Sequence, residues 1–202
     1  NWRNAYRRIY VSNNILGKAE EAVVTEAVRN RWLAEAYFFR AYNYFVLVKK
    51  YGGVPLIVKY FKNTGEPEIY DCRNTREEAI APCSKDLEFA ATWLPKHSNL
   101  PAADWGRVTQ SSALALTARI GLYMGTLTKY HNLEGNYKDH LDKSIKACEA
   151  VMGEGHDLYP DFQKLFYFEA EGPANKENIF VKVYGPNKSG NIVHGNSRGM
   201  EN

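Results

Sequence analysis

The sequence predicts a mainly α-helical fold of paired antiparallel helices, with one short strand segment near the C-terminus. Three observations carry this. Apolar residues recur at helical spacing in five segments between Trp2 and Met152. Several segments carry their own start or stop, such as Thr75-x-x-Glu78, Gly52-Gly53 ahead of Pro55, and Gly153. Beyond Gly153 the helical period fades, and only Asn178–Tyr184 alternates with β-branched residues as a strand does.

The first helix is expected over Trp2–Leu16, with Trp2, Tyr6, Ile9, Asn13 and Leu16 on one face and Gly17 as its stop. A second, longer helix is expected from about Glu20 to Tyr51. Leu33, Ala36, Tyr37, Arg40, Tyr44, Leu47, Val48 and Tyr51 form one stripe, and Phe38, Tyr42 and Phe45 another beside it. A helix apolar on most of its girth must be packed on at least two sides. Gly52 or Gly53 can take the left-handed conformation that closes it, and Pro55 forces Val54 to be extended. Leu56–Phe61 reads as a short extended segment and Lys62–Arg73 as a polar loop. The third helix opens on the capping box Thr75-Arg-Glu-Glu78 and runs toward Leu94, with Pro82 expected to kink it or shift its start. The fourth starts near Thr109 and runs to about Tyr130, and the fifth spans roughly Tyr137–Met152.

Ala36, Arg40 and Tyr44 are echoed by Ala115, Arg119 and Tyr123 at the same four-residue spacings. Paired helices of this length, with small residues at crossings and Tyr at contacts, suggest an irregular tetratricopeptide-like α–α superhelix. The two Arg lie 79 positions apart, not a multiple of the 34-residue repeat, so any repeats are irregular.

The chain has 202 residues and 45% hydrophobic residues, enough for one domain or a lobe of a larger one with a substantial core. Net charge is +3 with no Lys/Arg run longer than two, too weak and scattered for nucleic acid. No apolar run approaches the ~18 residues of a membrane span. Because it opens on Asn1-Trp2, with no Met, signal peptide or lipid-attachment Cys, the chain is expected to be a mature protein or an excised piece. Cys72, Cys83 and Cys148 are odd in number and lack Cys-x-x-Cys, against a zinc site. Cys72 and Cys83 can pair if a short loop folds back; free, buried thiols are the preferred reading.

Catalytic motifs are missing: no His-Glu-x-x-His, no Gly-x-Ser-x-Gly, no P-loop. His97, His131, His140, His156 and His194 are dispersed. His131 and His140 flank the connection between the last two helices, but no carboxylate pattern supports a shared metal. No metal, cofactor or catalytic residue is expected. The acidic pairs Glu20-Glu21 and Glu77-Glu78 sit at helix starts, where carboxylates favour the dipole by ~0.3–1 kcal/mol. Arg40 lies within an apolar stripe, so it must be paired or reach solvent. A packing role for its planar fork is preferred over an anion site, since a helix centre gives poor ligand access.

Ala34-Glu-Ala-Tyr-Phe-Phe-Arg40-Ala-Tyr-Asn-Tyr-Phe45, followed by Leu47-Val48 and Tyr51-Gly-Gly-Val-Pro-Leu56, resembles the hallmark of the SusD/RagB family. Further blocks fall in the family's order: the helix Trp2–Leu16; Thr75–Glu78 with Asp86-Leu87 and Leu94-Pro95; Gly106-Arg107-Val108-Thr109 with Ala118-Arg119; and Leu158, Phe162, Leu165-Phe166, Asn175 and Glu177–Phe180. Pro82 and Gly121 are unusual inside helices. The resemblance implies a tetratricopeptide-like helical domain over 1–202, partial because family members run to roughly twice this length or more. Arg40, Gly52, Gly53, Pro55, Arg107, Thr109 and Arg119 are its structural hallmarks.

The same resemblance implies a non-catalytic, surface-exposed outer-membrane lipoprotein of Bacteroidetes, anchored outside this chain. It would capture an oligosaccharide, as in starch utilization, and deliver it to a TonB-dependent transporter of the SusC type. The alternative is a protein-interaction module or a binder of peptides. Ligand contacts in the family lie on variable loops, so no binding residue carries over. A sugar site needs exposed aromatics beside Asn, Asp or Arg. The loop candidates are Tyr60, Tyr70 and Trp105, with Asn187, Asn191, His194 and Arg198 in the tail.

Overall fold

The computed structural model describes residues 2–182, except 64, 168, 169, 171, 173 and 174. Among the described residues, five α-helices make up the frame: α1 (Trp2–Lys18), α2 (Glu26–Tyr51), α3 (Arg76–Trp93), α4 (Gln110–Tyr130) and α5 (Tyr137–Met152). Each packs mainly on a helix adjacent to it in sequence, as in a helical solenoid. Trp2 at the start of α1 packs edge-on against Tyr51 at the end of α2, so these two run antiparallel. The fold is the tetratricopeptide-like arrangement the sequence predicts.

Local chemistry sets the helix boundaries. Thr25 caps α2, taking the Val28 N–H, so the helix begins six residues later than Glu20. A single 3-10 turn, Ala19–Glu21, occupies the gap. Thr75 and Glu78 cap α3 reciprocally, and Thr109 and Ser112 do the same for α4. The α3 helix is continuous through Pro82, whose position does not shift the start. Gly17 does not stop α1, which runs on to Lys18. A side chain there would meet Tyr60 Cβ at 2.6 Å, so glycine is required for close packing.

The core joins Ile9, Phe38, Tyr44, Phe45, Leu47, Val48, Val54, Ile80, Leu87, Leu116, Ile120 and Met124. Tyr42 and Tyr51, placed on packed stripes by the sequence, are exposed. Gly121 and Gly125 are one helical turn apart on α4. A Cβ on the first would lie 2.5 Å from the His140 carbonyl, and on the second 2.7 Å from Leu141 Cγ. Their bareness lets α5 lie against α4, where Ser144 Oγ donates to the Ala118 carbonyl at 2.8 Å.

The expected strand is not found among the described residues. Residues 178–182 are irregular, and 183–184 lie outside the described residues. A strand needs a neighbour to pair with, and here the Ile179 carbonyl instead accepts from Ser112 Oγ. All three cysteines are free: Cys83 is buried, whereas Cys72 and Cys148 are exposed rather than buried.

Candidate functional site

Arg40 organises the chain segment that leads into the candidate loop. It is 7% exposed at the centre of α2. Its Nε and Nη2 each donate to Asp86 of α3 at 2.7 Å. Its Nη1 donates to Asn13 Oδ1 of α1 at 3.0 Å and to the Val58 carbonyl at 2.8 Å. The guanidinium also lies over the Tyr37 ring. Burial opposes the Arg40 charge, but the hydrogen bonds and charge of Asp86 outweigh it and hold its pKa above the usual value. Burial also pushes Asp86 up, against the pull of Arg40.

What Arg40 grips is a strap, residues 53–60, laid along α1. Tyr6 donates to the Pro55 carbonyl at 2.6 Å, Asn13 Nδ2 to the Ile57 carbonyl at 2.9 Å, and Tyr60 packs on Gly17. Eleven helical residues from Tyr6 to Gly17 span ~16 Å, and five extended residues from Pro55 to Tyr60 span ~17 Å. The two lengths match only if the strap is extended, as expected for Leu56–Phe61. The Tyr44 hydroxyl imitates a strand partner, accepting from the Ile57 N–H at 2.7 Å and donating to its carbonyl at 2.8 Å. Burial pushes Tyr6 up to about 12 and moves Tyr44 higher still.

The strap begins where α2 ends. Gly52 has φ 71°, and a side chain at Gly53 would overlap the Asn74 carbonyl. Asn74 N–H bonds the Val54 carbonyl, and Arg73 reaches the carbonyls of Tyr51 and Gly53. The loop 61–73 thus leaves and returns through backbone sites held by α1, α2 and its own far end.

Of the predicted ligand residues, Tyr70 is 74% exposed at the end of the 3-10 turn Pro67–Tyr70. Nearby, Lys59 pairs with Glu66 and Glu68. Tyr60 is half-buried against Gly17, Tyr10 and Lys18. Trp105 is half-buried and packs edge-on against His97. Tyr60 belongs to the strap on α1 and Trp105 to the α3–α4 connection, so the two are in different surroundings. Asn187, Asn191, His194 and Arg198 lie outside the described residues.

The remaining hallmark residues are placed as follows. Arg107 pairs with Glu35 of α2 at 2.5 Å and approaches Asp104, which also holds Arg31. Thr109 is the buried α4 cap. Arg119 is exposed in a cleft of about 310 Å³ with Tyr42, Glu177 and Phe180.

A groove of about 850 Å³ between α1 and α2 was not anticipated from the sequence. Trp32, 46% exposed, and Phe39, 40% exposed, line it with Val11 and Ile15, beside Arg7, Arg8 and Glu35. Trp32, Glu35, Phe39 and Asn43 follow helical spacing, so a third face of α2 was detectable once its other two were assigned.

Among the described residues, no three His, Cys, Asp or Glu side chains gather as metal ligands. His140 bonds Glu77 at 2.9 Å and so ties α5 to the start of α3. No helix among the described residues is long and apolar enough to cross a membrane.

Antiparallel helix pairs, a buried arginine clasp and a surface loop held by backbone contacts define a helical scaffold. A model of the SusD-like family, described as starch-binding and associating with the outer membrane, matches residues 1–122, and the chain belongs to this family. SusD-like protein P2 of Formosa agariphila is 26% identical over 184 residues, covering 91% of this chain and 33% of the relative. A SusD-like protein of Bacteroides ovatus is 25% identical over 191 residues, covering 92% and 32%. The crystal structure of a SusD-like carbohydrate-binding protein from Bacteroides fragilis has a TM-score of 0.72 at 28% identity, over 89% of this chain and 32% of that one. The chain therefore spans about a third of the length of these relatives.

Proposed function

We propose that the protein containing this chain captures an oligosaccharide at the outer membrane surface without transforming it, and delivers it to a TonB-dependent transporter of the SusC type. Surface exposure would come from a lipid anchor outside this chain. Family membership and the carbohydrate-binding relative support this reading. Within the chain, the observation that carries it is the exposed Tyr70 on a loop whose ends are fixed by the Arg40 and Asn74 contacts. A pyranose presents a flat apolar face and a rim of hydroxyls. An exposed phenol ring on a loop that also carries the Lys59, Glu66 and Glu68 charges would offer stacking and polar partners to such a ligand. Tyr60 and Trp105, both half-buried, and the tail residues Asn187, Asn191, His194 and Arg198 are assigned to the same role by residue type.

A second reading, docking of a polypeptide segment, is favoured by the α1–α2 groove, whose apolar floor and charged rim suit a helix face. Isothermal titration of the full-length protein against a panel of oligosaccharides and a panel of peptides separates the readings. Saturable binding to at least one oligosaccharide is expected. Peptide binding with no response to any glycan would replace the first reading with the second.

A further inference from the structure

His97 and His156 form an imidazole pair that the glycan-binding reading does not use. His97 opens a single 3-10 turn, His97–Asn99, between α3 and α4, and His156 follows α5. Their ring centres are 4.8 Å apart with planes tilted by 54°. His156 Nδ1 lies 2.9 Å from the Lys176 carbonyl. A carbonyl only accepts, so Nδ1 carries the hydrogen and Nε2 is left with a lone pair. That Nε2 is closed off from solvent and has no hydrogen-bond partner, and the same is true of His97 Nδ1. Buried polar atoms without partners are uncommon and costly, so two on neighbouring rings call for an explanation.

We propose that His97 Nδ1 and His156 Nε2 are two ligands of a site for a divalent transition metal of the zinc type, completed by water. Three features point the same way. The bond from His156 Nδ1–H to a backbone carbonyl is the arrangement that fixes the tautomer and orientation of a metal-bound histidine. Two imidazoles that each place a nitrogen ~2.1 Å from one tetrahedral ion have ring centres about 5 Å apart, close to the separation seen. The two segments are also fixed independently of any ion, because Lys96 beside His97 pairs at 3.0 Å with Glu154, two residues before His156. With only two protein ligands among the described residues, the site is open, unlike a four-ligand structural zinc centre. Loading it would tie the α3–α4 connection, with Trp105, to the segment after α5.

The competing account is a direct bond from a His97 Nδ1–H to His156 Nε2, with no ion. The full-length protein, purified without a polyhistidine tag and stripped with chelator, separates the two accounts when titrated with Zn2+ by calorimetry and with Co2+ by visible absorption. One zinc per chain, an absorption band of tetrahedral cobalt and a raised melting temperature are expected. His97→Gln and His156→Gln each weaken binding on the order of tenfold or more. His140→Gln, which alters the separate pair with Glu77, leaves it unchanged. Should either glutamine variant fold poorly, His97→Ala and the cobalt spectrum of the unsubstituted protein read the same site. An absence of saturable binding, or binding that survives the loss of both histidines, overturns the proposal.

Discussion

Replacing Arg40 by methionine tests the clasp at its centre. The substitution keeps the aliphatic stem but leaves Asp86, 5% exposed, without the partner that met both its oxygens at 2.7 Å. Removing one member of a buried ion pair costs about 3–5 kcal/mol, because the other stays buried and unpaired. The Val58 carbonyl and Asn13 Oδ1 each lose a donor, worth ~1 kcal/mol apiece. The expected loss is about 5–7 kcal/mol, read from urea unfolding of the full-length protein by tryptophan fluorescence. Burial already raises Asp86, and without Arg40 it rises further. A carboxyl whose folded pKa lies above its unfolded value favours folding as the pH falls. The deficit of Arg40→Met should therefore shrink in mild acid. Adding Asp86→Leu removes the stranded charge and should recover at least ~2 kcal/mol at neutral pH. A loss under ~1 kcal/mol, the same at every pH, would refute the reasoning.

Three further outcomes follow from the packing. Gly121→Val drives a branched side chain against the His140 carbonyl, so it should destabilise by ~3 kcal/mol or more. The exposed neighbour change Leu122→Ala should stay within about 1 kcal/mol on the same chemical melts. Thr75→Ala removes half of the α3 capping box and should lower stability by about 1 kcal/mol by urea unfolding. Tyr6 is raised from 10.0 to about 12 by burial, and Tyr44 is raised as well. A group raised on folding stabilises fully below its unfolded pKa and loses that contribution through its folded one. Stability should fall between pH 10 and about 12, with tyrosinate absorbance rising as the fold is lost.

The helices were legible because each carries its own evidence. The 3.6 period marks their buried faces, and Thr75 and Thr109 mark two starts with side chains that bond their own helix. The start of α2 was missed because the local cap is Thr25 rather than a residue near Glu20; elsewhere a tertiary contact overruled the local signal. Gly17 looks like a stop but is a bare patch for Tyr60. Gly121 looks like a helix defect but seats α5. The segment 178–182 has strand composition, yet composition cannot supply a pairing strand. The strap was recognisable as extended from Pro55, but not its partners, because Tyr6, Asn13 and Arg40 reach it across 49, 44 and 18 positions of sequence. The exposed loop aromatic Tyr70 could be named from its polar neighbours. The α1–α2 groove could not, because an apolar helix face reads alike whether a neighbour covers it or solvent does.

The most direct test of the account is calorimetric titration of the full-length protein and its Tyr70→Ala variant with an oligosaccharide that the unsubstituted protein binds. Tyr70 is 74% exposed, so its truncation should leave the melting temperature unchanged. Loss of a stacking platform worth about 1.4 kcal/mol or more should weaken binding roughly tenfold or beyond. Unchanged affinity in Tyr70→Ala, together with lost affinity in Trp32→Ala/Phe39→Ala, would contradict the account and move the site to the α1–α2 groove.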